Sequence, residues 1–354
     1  MAGTPPGLMF AAAGAALARQ ARREWLGSPP HRMTLKGVPS HGLAAEPRDL
    51  RPADPEVGAA VLAGDFTYAG QTLSLGKGGH PWDQASPNRR FAVALHRFEW
   101  LPHLLAQGQA GAAEALRLVL EWRRLFGKWN DFSWDAEVLE RRLFNLACAI
   151  GDLSRAAGSE EAERLRGDLA RQAQALAAQG EVWRDAERLA ACALVYAALA
   201  GQPAELRLQP TLDRLAAALA VTVAADGGHA NRSPEAAMEL LLDLRALDET
   251  LASRGWPAPQ ALLNAIDRLT GAVRFFVLAD GRLPALQGGG DSTPERAAAA
   301  LAHAHPAETS AARRGGFERL ESRRLQVIAD AEAPAAGPWS LTACAQPAAV
   351  EILA

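Results

Sequence analysis

The stretch that most limits what this chain can become runs Asp226-Gly227-Gly228-His229-Ala230-Asn231-Arg232-Ser233-Pro234. It lies between two helical patterns. Before it, Leu212, Leu215, Leu219 and Val223 recur at helical spacing, and Gly227 or Gly228 can take the left-handed conformation that ends a helix. After it, Ser233 is placed to cap the next helix, with Pro234 in its first turn and Glu235 near its positive end. That helix carries Leu240, Leu244, Leu247 and Leu251 and stops near Gly255 and Pro257. His229, Asn231 and Arg232 are thereby expected on a short turn held by two helices, a common location for chemistry. The alternative is a connection whose polar residues only cap and solvate.

Helical periodicity extends well beyond this turn. The spacing predicts helices over about 111–126, 135–156, 159–179, 181–200, 210–225, 234–254 and 259–278, with an Ala-rich helix near 294–304. Short connections between long helices imply antiparallel neighbours, and no fixed-period repeat is present. Residues 1 to about 25 read as an Ala-rich helix ending in arginines. The next stretch, to about Arg90, is rich in Pro and Gly, and Ala60 to Gly70 reads as short strands joined by a Gly-Asp turn. Strand patterns return at Gly316–Leu320 and Leu325–Asp330. The expected organisation is a lead-in over 1–90, a helical body over 91–312 and a β segment over 313–354.

Composition narrows the function classes. A net charge of -3 leaves no electrostatic footprint for nucleic acid. No apolar run reaches the roughly 18 residues of a membrane span, and Arg19, Arg22 and Arg23 follow rather than precede the apolar stretch at Leu8 to Leu17, the wrong order for a secretory signal. The three cysteines, Cys148, Cys192 and Cys344, lack metal-ligand spacing. No P-loop, GxGxxG, HExxH or GxSxG element occurs, so no cofactor or metal is expected.

The Asp-Gly-Gly-His-x-x-Arg-Ser-Pro run, followed by a Leu-rich helix, resembles the signature of bacterial heparinase II/III-like proteins. His96-Arg97-Phe98-Glu99-Trp100-Leu101 is similar to that family's H-R-F-x-W-L, and Gly64 to Gly70 with Pro81-Trp82 is similar to its G-x-F-x-F-x-G … P-W region. Asp280-Gly281-Arg282-Leu283 is similar to the start of its D-G-x-L-x-x-F-N-G element, while Leu286 and Gln287 depart from the Phe-Asn pair near its end. The resemblance covers the chain from about residue 60. It implies a mainly α fold, an incomplete α/α toroid with a small β-containing lead-in and a few antiparallel strands at the end. Those strands would open a β domain of which only about 40 residues are present, a truncated one. It also implies a polysaccharide lyase of the cell envelope or periplasm, acting on an acidic polysaccharide or oligosaccharide. Some relatives hold a zinc in the β domain.

β-Elimination on a uronic acid needs a group to neutralise the carboxylate, a base and an acid. His229, Asn231 and Arg232 are the catalytic candidates, with His229 as base. His96, Trp100, Trp134, Arg141 and Asn145 are candidates for a sugar groove, because indole faces stack on sugars and arginines pair with carboxylates. For each there is a plainer reading, as a satisfied turn histidine, a core tryptophan or a solvated arginine. Lyases of the family use a tyrosine, and the two tyrosines here, Tyr68 and Tyr196, fall outside the motif positions. Cys344 stands where a cleft-facing histidine of the family is expected. A non-catalytic glycan-binding or interaction toroid is therefore the rival reading. A glycoside hydrolase would need two carboxylates across a cleft, and Asp131, Asp135, Glu137 and Asp226 offer no obvious pair.

Overall fold

A computed structural model describes residues 42–180, 184–290, 292–302, 312–341 and 348–354, with Cys344 and residues 14, 17, 20, 21 and 24–35. The helix expected over residues 1 to 25 lies largely outside the described residues.

The helices form where capping and apolar periodicity coincide. After a short α1 (Pro29–Thr34), α2 (Pro55–Ala63) starts at Asp54, whose carboxylate accepts the Glu56 and Val57 amides. This helix corrects the expectation of strands from Ala60. Pro55 at its first turn and the Asp54 cap outweigh the β-like Val61-Leu62 pair. The helix stops at Gly64, at a φ of 96°, where a Cβ would collide with the Gly76 carbonyl. Strands β1 (Asp65–Tyr68) and β2 (Gln71–Ser74) then form a hairpin that turns at Ala69-Gly70, both with positive φ, not at Gly64-Asp65.

The toroid comes next, with α3 (Arg89–His96), α4 (Leu101–Leu105), α5 (Gly108–Phe126), α6 (Ala136–Ala156), α7 (Ser159–Ala178), α8 (Asp185–Ala198), α9 (Gln202–Thr222), α10 (Pro234–Ser253), α11 (Gln260–Phe276) and α12 (Pro294–Leu301). Its hub is α8, which touches α6, α7, α9 and α10. Its sequence, Leu189-Ala190-Ala191-Cys192-Ala193-Leu194-Val195, is apolar on every side, as a helix enclosed by others must be, and its alanines allow close approach. The largest boundary error is at α9. The helix expected from residue 210 begins eight residues earlier, with Pro203 in its first turn, and runs through Pro210.

An extended strap over residues 42–54 crosses the toroid. Ala44 N–H donates to the Ala198 carbonyl at 2.8 Å, and Arg51 reaches Glu239 and Asp243 on α10. The final sheet has the order β3 (Arg313–Arg314), β4 (Phe317–Glu321), β5 (Gln326–Asp330), β6 (Val350–Leu353), all antiparallel. One face packs on the toroid. Phe317 and Ile328 are fully buried, the Phe317 ring lies 5.2 Å from Phe276, and Arg319 donates to the Phe275 and Val277 carbonyls. No helix among the described residues is long and apolar enough to cross a membrane.

Candidate functional site

A cavity of about 660 Å³ opens where the strap, α4, α6, α8, α10 and the 226–234 loop converge. The loop shapes its own end of the cavity. Helix α9 ends at Thr222, short of the glycines, and the chain doubles back in a tight hairpin, with Val223 bridged to His229 and Ala230 N–H bonded to the Thr222 carbonyl at 2.8 Å. Gly227, at a φ of 88°, sits so close to α11 that a Cβ would strike the Arg268 carbonyl. Gly227 therefore serves a tight turn and a close approach, not the helix end expected of it. Ser233 caps α10 as expected, accepting the Ala236 amide at 3.3 Å.

The side chains of this loop part in two directions. His229 and Asn231 face the cavity. His229 is buried, 5% exposed, and Nδ1 lies 2.6 Å from Asn231 Oδ1 while Nε2 lies 3.1 Å from Glu187 Oε1. Asn231 Oδ1 also accepts the Ser233 amide at 2.9 Å, which fixes the amide orientation. Burial pushes the Glu187 carboxyl up, but the His229 hydrogen bond and charge outweigh it, so its pKa ends below the ordinary value.

Arg232 turns the other way, and the structure does not bring it together with His229 and Asn231. At a φ of 66° its guanidinium points to the sheet, donating to Asp330 at 2.5 Å and to the carbonyls of Gly316, Glu332 and Ala333. Asp226 shares that task, accepting the Gly315 amide at 2.6 Å. The motif is thus half cavity wall and half sheet clasp.

The groove candidates divide as well. Arg141 and Asn145 line the cavity. Arg141 makes a two-point bond to Asp243, 2.9 Å on each arm, and the Asn145 amide donates to the Arg97 and Phe98 carbonyls. His96, Trp100 and Trp134 do not line it. Trp100 is fully enclosed and donates to the Leu95 carbonyl, and Trp134 donates to Phe126. His96 sits among Trp82, Trp122, Phe126 and Phe132 and accepts the Trp122 indole N–H at 3.0 Å. Burial, with the Arg142 charge adding to it, pushes the His96 pKa down to about 3. These three belong to the core, because a dense aromatic cluster needs its few polar atoms satisfied internally. Tyr68 and Tyr196 lie outside the cavity lining too, while Cys344 packs over Gly288, a residue of the cavity wall.

Several residues of the cavity carried no signal in the sequence. Arg51 bonds Asp49, Glu239 and Asp243, and the Arg51, Arg296 and Arg141 charges outweigh burial to hold Glu239 down at about 2. Arg184 bonds Glu140 at 2.6 Å and Arg296 pairs with Glu239, while Arg97, from the H-R-F-x-W-L stretch that the sequence did single out, pairs with Glu137 and Glu99. Burial raises Glu140 to about 7, against the Arg184 charge and with help from Glu187. His103 accepts the Asp54 amide through Nδ1 at 2.8 Å, and burial pushes its pKa down, so the neutral ring carries its proton on Nε2. These residues come from segments up to about 250 positions apart, so no local pattern could have gathered them. No group of three or more His, Cys, Asp or Glu suited to a metal occurs among the described residues.

No protein-family profile matches the chain. Across its whole length the chain is 48% identical to FtsZ-localized protein C of Caulobacter vibrioides, and it spans 64% of that protein's length. Among solved structures, the heparan sulfate lyase HepC of Pedobacter heparinus matches with a TM-score of 0.53 at 16% identity, over 87% of this chain and 57% of the lyase. A heparinase III gene product matches with a TM-score of 0.52 at 14% identity, over 85% of this chain and 56% of its own. At such identities the likeness is one of fold. The mainly helical body is an α/α toroid like that of the heparinases, as the sequence resemblance implied.

Proposed function

We propose that this protein is a lyase-fold binding protein whose cleft holds a saccharide without eliminating it, and that it works beside FtsZ. One observation carries the first part. All five arginines lining the cavity, Arg51, Arg97, Arg141, Arg184 and Arg296, are already ion-paired with protein carboxylates. Neutralising a uronate requires a cation that is free to approach it, and prising Arg51, Arg141 or Arg184 from its buried carboxylate costs about 3–5 kcal/mol, with less for the partly exposed Arg97 and Arg296 pairs. Elimination also lacks the tyrosine that the family resemblance calls for, since neither Tyr68 nor Tyr196 lines the cavity, and both nitrogens of His229 already face oxygen acceptors. The cavity, at about 660 Å³, nonetheless has the size of a small-ligand site. The second part rests on the identity, along this whole chain and 64% of the relative, with a protein that its name places with FtsZ.

A second reading, an active acidic-glycan lyase, is favoured by the fold and by Glu140. A carboxyl held at about 7 is suited to moving protons near neutrality. Two experiments test the proposal. A fluorescent fusion imaged with labelled FtsZ should co-localise with it, and a diffuse signal would remove the cellular half. Titration calorimetry of the full chain with oligosaccharides should give saturable binding that weakens in Asn231→Ala, and no heat with any of them would remove the cleft half.

A further inference from the structure

With its arginines committed to ion pairs, the cavity offers a ligand a different set of groups. Glu140 gives Oε1 to Arg184, while its Oε2 is buried with no hydrogen-bond partner among the described residues; the residue as a whole is only 7% exposed. Glu187 gives Oε1 to His229, and its Oε2 is likewise buried without a partner among the described residues. His103 holds Nδ1 to the Asp54 amide, and its Nε2–H has no partner among the described residues. Glu140, Glu187 and His103 all line the same cavity, from α6, α8 and α4, so two carboxyls with an oxygen left over and one imidazole with an N–H left over border it.

We propose that the cleft takes an uncharged, hydroxyl-rich saccharide, held by the Glu140 and Glu187 carboxyls and by the His103 imidazole. The inference rests on the saccharide-binding reading above and names its ligand class. A sugar hydroxyl is donor and acceptor at once, so it can give its proton to a carboxyl oxygen and accept from Nε2–H. Leaving the two buried oxygens without partners carries a desolvation penalty that such hydroxyls would remove. Charge points the same way. Six carboxylates, those of Asp49, Glu99, Glu140, Glu187, Glu235 and Glu239, line the cavity against the five arginines. With the Glu140 carboxyl held at about 7, the charges of the lining nearly cancel, so a uronate or sulfate would meet no net positive field to offset its desolvation. An uncharged ring leaves every existing ion pair in place.

The test is titration calorimetry of the full chain with two length-matched sets, neutral cello- or chito-oligosaccharides and oligogalacturonates or heparan-derived oligosaccharides. The neutral set is expected to bind at least tenfold tighter. His103→Ala and the isosteric Glu140→Gln should each weaken it by up to about tenfold, the scale of one hydrogen bond. Thermal unfolding of each variant shows whether it is folded, and Glu140→Gln removes charge with little change of shape. Preferential binding of the acidic set, indifferent to both variants, would overturn this inference and leave the saccharide reading standing. Binding of neither set would overturn the saccharide reading itself.

Discussion

His96 and His229 stand in two regions that look alike on paper and differ in kind. Both lie in motifs shared with the heparinase II/III-like signature, both are buried, and both have arginines next to them in sequence or space. Around His96 the space is filled by Trp82, Trp122, Phe126 and Phe132, and Arg142 lies over the Trp122 ring at 4.2 Å. Around His229 there is an open cavity bounded by carboxylates and arginines. A histidine's part is set by what meets its nitrogens and by whether space is left beside it. Residue type and motif membership decide neither.

The sharpest way to break this contrast is at Arg142. It is fully buried and bonds Gln172 and the His96 and Ser133 carbonyls, and burial lowers its pKa to about 9. Arg142→Ala strands two buried carbonyls and opens a cavity, and is expected to cost about 3–5 kcal/mol in denaturant unfolding. A cost below about 1 kcal/mol would mean that this region is a groove and not a core.

Acid should separate the two regions next. A histidine whose folded pKa lies at about 3 takes up fewer protons folded than unfolded. Its contribution is fully present above the unfolded value near 6.5 and is lost as pH falls towards 3, at up to about 1.4 kcal/mol per pH unit. Glu239, held at about 2, adds a loss of the same sign below about 4.5. Glu140 has the opposite sign. Its raised pKa means that stability declines as pH climbs from about 4.5 through 7. His96→Phe should flatten the acid limb of a stability–pH curve, and Glu140→Gln should flatten the neutral limb. Curves that coincide with the wild type would remove this assignment.

A smaller effect is expected where the loop clasps the sheet. Arg232→Ala should cost about 2–4 kcal/mol, because Asp330 is left buried without its guanidinium. Arg232→Gly should cost about 1 kcal/mol less than Arg232→Ala, since glycine tolerates the positive φ. Equal losses in unfolding would show that the left-handed backbone carries no penalty. Least of all, His229→Gln should cost about 1–2 kcal/mol, two hydrogen bonds at a cavity edge, while weakening glycan binding.

How much of this was legible in the sequence depends on range. Helices α6, α7, α10 and α11 begin and end within a few residues of their expected limits, because apolar spacing and local caps specify them. Strands Phe317–Glu321 and Gln326–Asp330 were legible by alternation. Half of the candidate site was legible too. Arg141, Asn145, His229 and Asn231 share one cavity; the 226–234 motif pointed to the last two, and the first two were candidates only as polar neighbours of a tryptophan-rich helical stretch. Arg232 was misdirected because a loop of nine residues can face two ways. Trp100 and Trp134 were misdirected because sequence does not tell an indole stacked on a sugar from one packed in a core. Glu140, Arg184, Glu187, Arg51 and His103 could not be found, since only the folded toroid brings them together.

The most direct test of the central claim is an ultraviolet absorbance assay for unsaturated uronic ends, run on a panel of acidic polysaccharides. It should compare the wild type with Glu140→Gln and with Asp243→Asn, which loosens Arg141 and Arg51 from their shared partner. The account predicts no rise in absorbance for any of the three, with acidic-glycan binding strengthened only in Asp243→Asn. A steady rise with the wild type, abolished in Glu140→Gln, would contradict it and make the protein a lyase with Glu140 moving the proton.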